Sequence, residues 1–399
     1  MDRLSVQDLK LKGKKALIRV DFNVPLNNRG EVADDTRIIA SLPTIKYVLE
    51  QGGAVILMSH LGRPKGKSSP ELSLAPVAAK LGNLLGKAVT TASDCVGAKV
   101  EKLAKELKAG QILLLENLRF HAAEEHPEED PEFAGKLASL GDVYINDAFG
   151  TAHRAHSSTV KVAEFFPQAS ACGLLLEKEM RFLGDTLKYP KRPFYTLIGG
   201  AKVSSKIGVL KALLPKVDGL IIGGAMAFTF LKAQGIEIGD SLFEPDYLEE
   251  ARKVTDRYVS AKKIFLLPQD LVVAKEIQEG AASHVVTIKE GVPKGYKGVD
   301  IGPKTIERYK EELTFAKTVL WNGPMGVFEV KAFSKGTYEM ARSLAELEAT
   351  TIVGGGDSVF AIQNAHLAHE FSHISTGGGA SLEYLEHGTL PGIEALTKV

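Results

Sequence analysis

The sequence has little cysteine, no long apolar run and no excess of charge of either sign. Cys95 and Cys172 are its only cysteines and form no Cys-x-x-Cys pair, which predicts a reducing compartment and no cysteine metal site. The most apolar stretch, 220–231, is too short and too interrupted by glycine to span a bilayer. Lys plus Arg equals Asp plus Glu, 49 of each, so we expect neither a general nucleic-acid binder nor a membrane binder. The first fifteen residues lack the apolar segment of a signal peptide. Together these features predict a cytoplasmic protein.

Glycine, in contrast, is abundant, with 39 residues. Four segments of the C-terminal half combine an apolar run, consecutive glycines and a helix-like stretch, at 196–206, 220–228, 352–360 and 374–385. A short apolar run is typical of a buried parallel strand. The amides of a following helix N-terminus favour anions. The pattern therefore predicts a surface that binds anionic small molecules, with phosphates as the first candidates.

Strand-like runs alternate with helical patterns along the whole chain, which predicts an α/β fold. The length of 399 residues favours two Rossmann-like lobes, each a parallel sheet with helices on both faces. We place the first lobe at 1–173, a helical hinge at 174–194 and the second lobe at 195–379. Ligands of such sheets bind beyond the carboxyl ends of the strands.

In the N-terminal half, polar or charged residues follow every predicted strand. They are Asp21, Asn23, Arg37, His60, Arg63, Arg119 and Arg154. Because arginine recognises phosphate and carboxylate with two parallel hydrogen bonds, this pattern predicts an anion site at one sheet edge. Any single arginine could instead be a surface residue or a salt-bridge partner. Asp21 and Asn23 could cap a turn or bind a ligand hydroxyl.

Two common phosphate-binding patterns are missing from the sequence. In GRPKGKS (62–68), Gly62 and Gly66 are one residue too close for a Walker A loop. None of the four glycine turns has the Gly-x-Gly-x-x-Gly spacing of dinucleotide-binding folds. The acidic stretch 121–133 is predicted to be a solvated turn and helix start without a chemical role.

The C-terminal half has the features of a nucleotide site. Lys202 and Lys206 are four residues apart after a glycine turn, which predicts one shared helix face near phosphate oxygens. Asp357 and Ser358 follow three glycines, and Mg²⁺ between this carboxylate and phosphates would relieve their repulsion. Asp357 as a simple N-cap is the alternative. Glu329 either binds a ribose hydroxyl or is a surface glutamate.

An ordered set of motifs covering the chain from Arg19 to Gly392 resembles the phosphoglycerate kinase family. The motifs are RVDFNVP (19–25), SHLGRPKG (59–66), ENLRF (116–120), NDAFGTAHRAHSS (146–158), GGAKVSSKI (199–207), LWNGPMGVFE (320–329), GGGDS (354–358) and STGGGASLEYLEHG (375–388). Small departures are the longer turn LEHGTLPG and Ser358, where other members carry threonine.

The resemblance implies reversible phosphoryl transfer from 1,3-bisphosphoglycerate to ADP, giving 3-phosphoglycerate and ATP. It places the glycerate in the N-terminal lobe, at Asp21, Phe22, Asn23, Arg37, His60, Leu61, Gly62, Arg63, Arg119 and Arg154. It places the nucleotide at Gly200, Ala201, Lys202, Lys206, Gly224, Gly298, Asn322, Pro324, Glu329, Gly355, Gly356, Asp357 and Ser358. Asp357 matches the ligand of the Mg²⁺-nucleotide, and segment 380–399 is expected to return to the N-terminal lobe. A monomer is expected.

The mechanism that follows is direct transfer between two substrates brought together by lobe closure. Arg37 and Lys202 are expected to contact the equatorial oxygens of the transferring group, and backbone amides at Gly356 and in the 377–379 turn, including Gly379, to add fixed dipoles. Two rivals stay open. One is a dinucleotide-dependent oxidoreductase, and the other is a non-catalytic nucleotide-binding protein.

Overall fold

The computed structural model describes residues 2–399 and divides into two units. The first contains the chain up to Arg181 together with Thr389–Val399, and the second is Phe182–Gly388. The chain thus returns to the first unit at Thr389. The sequence analysis predicted that this returning segment begins at residue 380. The assignment of glycerate to one unit and nucleotide to the other stays a prediction.

The first unit is built on a parallel six-stranded sheet in the order β3-β4-β2-β1-β5-β6. Strand β2 reads AVILM and is buried along its whole length, as expected for a parallel strand covered on both faces. Its strands are β1 Lys15–Arg19, β2 Ala54–Met58, β3 Val89–Thr91, β4 Ile112–Leu114, β5 Val143–Asn146 and β6 Ser170–Cys172. Its helices are α1 Thr36–Glu50, α2 Ala75–Leu85, α3 Ala98–Glu106, α4 Phe133–Ala138, α5 Leu174–Met180 and, near the chain end, α14 Pro391–Glu394.

The second unit contains a second parallel six-stranded sheet, in the order β15-β14-β13-β7-β8-β9. Its strands are β7 Phe194–Ile198, β8 Gly219–Ile222, β9 Ile264–Leu266, β13 Thr318–Asn322, β14 Thr350–Gly354 and β15 His373–Ile374. The helices are α6 Thr186–Lys188, α7 Ile207–Leu213, α8 Met226–Ala233, α9 Leu248–Ser260, α10 Pro303–Leu313, α11 Lys335–Ala345, α12 Gly356–Asn364 and α13 Gly379–His387. Two parallel sheets with helices confirm the predicted fold class.

The strand order of the second sheet reverses between β7 and β13, which are paired neighbours. Such a reversal point is where open α/β sheets form a crevice for ligands. The glycine turn 199–200 and the loop 323–329 both start at this point. The fold therefore positions two of the predicted motifs side by side.

A three-stranded antiparallel sheet in the second unit was not predicted from the sequence. It has the order β11-β10-β12, with β10 Asp270–Ala274, β11 Ser283–Thr287 and β12 Lys297–Ile301. Leu271 and Val273 of β10 are buried in a small core with Phe228 of α8. This sheet supplies one wall of the pocket described below.

The predicted hinge segment is helical over most of its length. Helix α5 continues through a π-helical turn, Arg181–Asp185, into α6. Within residues 2–399, no helix combines the length and the apolar character needed to cross a bilayer.

Candidate functional site

The Asp21 carboxylate is the centre of a polar group at the edge of the first sheet. Nη1 of Arg37, in the first turn of α1, donates to Oδ2 of Asp21 at 2.6 Å. Nδ1 of His60 lies 3.9 Å from Oδ1 of Asp21. Because β1 and β2 are parallel neighbours, the residues that follow them meet at one edge. The structure thus brings these three predicted residues together.

Arg19, the last residue of β1, is a functional candidate that the sequence interpretation missed. Its buried side chain donates from Nε to Oγ of Ser158 at 2.8 Å, and Nη2 lies 3.3 Å from Nδ1 of His60. Burial, followed by the charges of Arg19 and Arg119, lowers the pKa of His60 well below its usual value. His60 is therefore neutral. An arginine inside the apolar run KKALIRV was the signal that could have revealed it.

The loop after β2 is held by side-chain amides. The amide of Gly62 donates to Oδ1 of Asn23 at 2.9 Å, and its carbonyl accepts from Nη1 of Arg119 at 2.9 Å. Asn117, also missed, accepts from the Leu61 amide at 3.2 Å and donates to the Leu61 carbonyl at 2.7 Å. These bonds fix the backbone of the SHLGRPKG motif.

Phe22 and Leu61 have side chains in the core, at 0% and 2% exposure. They can therefore meet a ligand only through their backbone. Gly62 has a φ of +64°, and a Cβ there would lie 2.7 Å from Cδ2 of Leu72. The positive φ of this turn thus favours glycine, and a side chain there would also displace Leu72.

The acidic stretch 121–133 corrects one prediction. Glu124 is fully buried and accepts from the Ser158 amide at 3.0 Å and the Ser158 hydroxyl at 2.6 Å. Oε1 of Glu125 lies 3.1 Å from Nε of Arg119 and 3.9 Å from Nη1 of Arg154. The interpretation of this stretch as merely solvated was therefore wrong for both glutamates, because each has partners outside the stretch: Ser158 for Glu124, and Arg119 and Arg154 for Glu125.

The arginines of the first unit differ in their partners. Arg37, Arg119 and Arg154 each have an acidic neighbour, so the salt-bridge alternative describes all three. Arg63 is exposed. Burial is the main cause that lowers the pKa of Arg119. Burial and the charges of Arg119 and Arg19 lower the pKa of His156 to about 3, so a second neutral histidine borders the cluster.

The second unit has a pocket of about 210 Å³ beyond the ends of β7, β8 and β13. The antiparallel sheet supplies a further wall through Leu271 and Gly298. Seven of the predicted nucleotide residues line the pocket, namely Gly200, Ala201, Gly224, Gly298, Pro324, Glu329 and Asp357. A glycine-rich, mostly apolar concavity suits a flat ring lying on backbone.

Two glycines of the pocket lining are closely packed against neighbouring atoms. Gly224 has a φ of +65°, and a Cβ there would lie 2.5 Å from the Gly200 amide nitrogen and 2.7 Å from the Pro324 carbonyl oxygen. A Cβ on Gly298 would lie 2.1 Å from Cζ of Phe228. Side chains at either position would therefore displace the pocket wall.

Lys202 and Lys206 do not share a helix face, which corrects the sequence interpretation. Helix α7 begins only at Ile207, so both lysines lie in the preceding turn. Lys202 is exposed, whereas Nζ of Lys206 is buried and donates to the Gly199 carbonyl at 2.6 Å and to Oδ1 of Asn322 at 2.8 Å. Burial lowers the pKa of Lys206 to about 8. Lys206 thus ties the ends of β7 and β13 together.

Helix α12 begins at the third glycine turn. Its N-cap Gly355 has a φ of +89°, and Gly356 and Asp357 are exposed in the first turn. Ser358 is buried and its Oγ accepts from the Gly323 amide at 2.7 Å. Gly379, also exposed, is the first residue of α13.

The residues at α12 fit a Mg²⁺-nucleotide. Mg²⁺ is commonly held by one or two carboxylates together with substrate phosphates and water. Asp357 offers an exposed carboxylate beside the amide of Gly356, where helix-end amides favour phosphate. The donor set thus matches a hard cation bound together with phosphate.

One α/β unit has a cationic site, and the other has a glycine-rich pocket lined by exposed carboxylates, next to a turn that carries two lysines. Together these features are typical of a phosphotransferase. The phosphoglycerate kinase family model matches residues 6–388. The chain belongs to the phosphoglycerate kinase family. Its reaction is the reversible transfer of a phosphoryl group between 1,3-bisphosphoglycerate plus ADP and 3-phosphoglycerate plus ATP, in glycolysis and gluconeogenesis.

Individual members of the family match this chain over nearly its full length. A phosphoglycerate kinase from Moorella thermoacetica is 55% identical over 398 residues, covering 100% of both chains. One from Chlorobium phaeovibrioides is 52% identical over 399 residues, covering 99% of this chain and 100% of the relative. The solved phosphoglycerate kinase structure from Coxiella burnetii superposes with a TM-score of 0.86 at 42% identity, covering 98% of each chain. That from Pyrococcus horikoshii gives 0.85 at 32% identity, also covering 98% of each chain.

Proposed function

We propose that the glycerate binds to the first unit and the Mg²⁺-nucleotide to the second. The observation that carries this assignment is the separation of chemistry between the units. The first unit gathers arginines and a neutral histidine at its strand ends, whereas the second has a glycine-rich pocket with two exposed carboxylates, those of Glu329 and Asp357.

In the first unit, the arginines recognise the phosphate and carboxylate of the glycerate. Arg63 is free in solvent to reach a phosphate, while the ion pairs of Arg37, Arg119 and Arg154 hold their guanidinium groups in place. The Asp21 carboxylate accepts a hydrogen bond from the glycerate hydroxyl, and the Asn23 side-chain amide donates one to it. Phe22, Leu61 and Gly62 contribute backbone.

In the second unit, the base lies on the glycine backbone of the pocket and Glu329, at its exposed rim, binds a ribose hydroxyl. Lys202 and the amides of Gly355 and Gly356 contact the phosphates, and Asp357 holds Mg²⁺. Mg²⁺ neutralises charge on the phosphates when it is bound. Lys206, Asn322 and Ser358 act as supports of the phosphate-binding turns, because their polar groups are engaged inside the protein.

Transfer is direct and in line: in the ATP-consuming direction the carboxylate of 3-phosphoglycerate is itself the nucleophile that attacks the γ-phosphoryl group, and ADP is the leaving group. The carboxylate is ionised at neutral pH and needs no general base. Arg37 and Lys202 stabilise the charge of the transferring group, and the amides of Gly356 and Gly379 add fixed dipoles. Substrates held on separate units must be brought together, which makes closure about the segment 174–194 part of the proposal.

Amide chemical-shift mapping tests the assignment of substrates to units. Saturating 3-phosphoglycerate should shift the amides of Asn23 and Gly62, and Mg²⁺-ADP those of Gly200, Gly224 and Gly356. Interchanged or overlapping patterns would contradict the assignment. X-ray scattering with both substrates bound should show compaction, and its absence would count against closure.

We also propose a cytoplasmic monomer. Every residue assigned to the two sites comes from one chain, so no second copy is required. Both cysteines are free and buried, which suits a reducing compartment. Sedimentation equilibrium should give a mass near 43.0 kDa, and twice that value would contradict the monomer.

A further inference from the structure

Asp300 is a buried acidic residue in the wall of the nucleotide pocket to which no role has been assigned. It lies in β12 and is 3% exposed. Its Oδ1 accepts from the Ile301 amide at 2.9 Å and its Oδ2 from the Gly336 amide at 2.7 Å. Each carboxylate oxygen therefore has its own backbone donor.

The bond to Gly336 caps helix α11 from a distant part of the chain. Gly336 is the second residue of α11, and the N-cap residue Ser334 makes no side-chain capping bond. A carboxylate at a helix N-terminus satisfies an amide that has no partner within the helix and complements the dipole. Asp300 thus replaces the local cap that α11 lacks.

Two glycines make room for this carboxylate. A Cβ on Gly336 or on Gly326 would lie 2.3 Å from Oδ1 of Asp300. Gly326 belongs to the loop 323–329 and lines the pocket. The side chain is thus packed against both the loop and α11.

The same three segments are joined by two further bonds. The Val327 amide donates to the Val299 carbonyl at 2.8 Å, which links the loop to β12. The Met325 amide donates to Oγ1 of Thr337 at 3.0 Å, which links the loop to α11. The loop carries Pro324 and Glu329, and β12 carries Gly298, so these bonds connect opposite parts of the pocket lining.

We propose that Asp300 is a positioning residue for the nucleotide, which sets the spacing between β12, the loop 323–329 and the start of α11. Without the Asp300 carboxylate, which accepts from the Ile301 and Gly336 amides, α11 and the loop 323–329 are no longer held at a fixed distance from β12. The pocket then fits the nucleotide less well. This inference rests on the proposed placement of the nucleotide in this pocket.

The positioning depends on the charge state of Asp300. Burial raises the pKa of Asp300 to about 7, against the opposing effects of the two amide bonds and of Lys335 at the start of α11. Glu329 and Asp357 are the other acidic side chains of the pocket lining. When Asp300 is protonated, one of its oxygens carries a hydrogen that points at a backbone N–H, so that oxygen no longer accepts a good hydrogen bond. The pocket is therefore expected to fit nucleotide better above pH 7 than below it.

The substitution Asp300→Asn reproduces this defect at every pH, since an amide nitrogen cannot accept. We expect the Kd for ADP, by titration calorimetry at pH 8, to rise about tenfold, the scale of one unsatisfied buried donor. The KM for ADP should rise by a similar factor. The KM for 3-phosphoglycerate should stay within about twofold of the wild-type value.

Asp147→Asn is the matched control in the first unit. Asp147 is also fully buried with a pKa raised to about 7 by burial, against the effect of a hydrogen bond with Thr44, but both of its backbone donors, the Leu175 amide at 2.9 Å and the Leu176 amide at 3.3 Å, bond to the same oxygen, Oδ1. An asparagine with its carbonyl oxygen there keeps both bonds. ADP affinity should therefore be unchanged in this variant.

The pH dependence separates positioning from a general loss of structure. Because the ADP phosphate titrates near pH 6, only the difference between wild type and Asp300→Asn is assigned to Asp300. The affinity ratio of the two proteins should shrink from pH 8 to pH 6. A ratio that stays constant, or wild-type ADP affinity in the variant at pH 8, overturns the proposal.

Thr337→Val provides the second test if Asp300→Asn does not fold. It leaves the Met325 amide without its acceptor and should weaken ADP binding but not 3-phosphoglycerate binding. An equal loss for both substrates overturns the inference. Failure of the proposed function would look different, because wild-type protein would then show no ADP-dependent shifts at Gly200 and Gly224.

Discussion

Nη2 of Arg19 lies 3.3 Å from Nδ1 of His60, and both side chains are buried. Since a guanidinium can only donate, Nδ1 must accept, and the ring proton is on Nε2. The Arg19 contact thus sets the tautomer in which Nε2 carries the proton, while burial, followed by the charge of Arg19, lowers the pKa of His60 and keeps the ring neutral. We expect the ¹⁵N shifts of His60 to show the Nε2–H tautomer and to stay constant between pH 8 and 5.5.

The urea-unfolded chain is the reference, because its histidines should titrate near 6.5. In the folded protein the pKa of His60 is held well below that value, so below pH 6.5 the unfolded state binds a proton that the folded state does not. His60 therefore lowers stability as pH falls below 6.5. A folded His60 signal that titrates between pH 6 and 7 would contradict this account.

The sequence predicted both parallel sheets because a strand buried on two faces must be a short apolar run, and β2 and β8 are such runs. It did not predict the antiparallel sheet β11-β10-β12. SHVVT of β11 carries exposed polar and apolar residues, and no glycine turn and helix follow it. Residues proposed to bind through exposed side chains or glycine turns, such as Arg63 and Gly224, were recognisable from motifs.

The buried charged residues were not recognisable in this way. Arg19 is stabilised by Ser158, 139 residues away, and Glu124 by the same serine, 34 residues away. Local composition does not reveal partners at such separations, so Glu124 was interpreted as a solvated residue. The lysines of the GGAKVSSK turn were misplaced because α7 begins later than the glycines suggest.

Ser158 joins two buried charged groups, and its removal should cost stability. Its Oγ accepts from Nε of Arg19 at 2.8 Å and donates to Oε1 of Glu124 at 2.6 Å. We expect Ser158→Ala to lower the free energy of unfolding by about 3 kcal/mol, since bonds to charged groups are the stronger ones. Urea denaturation measures the change.

Ser157→Ala is the neighbouring control. The Ser157 hydroxyl donates only to the Ala123 carbonyl, at 2.6 Å, so its loss should cost about 1 kcal/mol. Equal losses in the two variants would show that the Arg19–Ser158–Glu124 connection adds nothing.

Arg63 should affect glycerate binding alone. Because it is exposed, Arg63→Ala should leave stability unchanged and raise the KM for 3-phosphoglycerate by about tenfold or more, the scale of one charge-assisted hydrogen bond. The KM for ATP should not change. Arg29→Ala, at another exposed arginine of the first unit, should change neither value, and an effect of Arg63→Ala confined to ATP would refute the assignment of substrates to units.

Variants at Lys202 and Lys206 should have different effects, because we propose a catalytic role for Lys202 and a structural role for Lys206. Lys202→Ala removes an exposed cation from the turn after β7, so we expect kcat to fall by about 10²-fold, the scale of one charge-stabilising donor, with little change in KM. Steady-state kinetics measures both values. Stability should match wild type, because the side chain is solvated.

Lys206→Met removes the donor that joins Gly199 to Asn322, and it should lower the free energy of unfolding by about 2 kcal/mol through unsatisfied buried acceptors. Lys211→Ala, which removes an exposed α7 lysine paired with Glu250, should change neither kcat nor stability appreciably, since surface ion pairs contribute little. If Lys202→Ala keeps near-normal turnover while Lys206→Met loses turnover without losing stability, the two roles are reversed. Lys206 would then be the cation that reaches the transferring group, and its bonds to Gly199 and Asn322 would have to break when nucleotide binds.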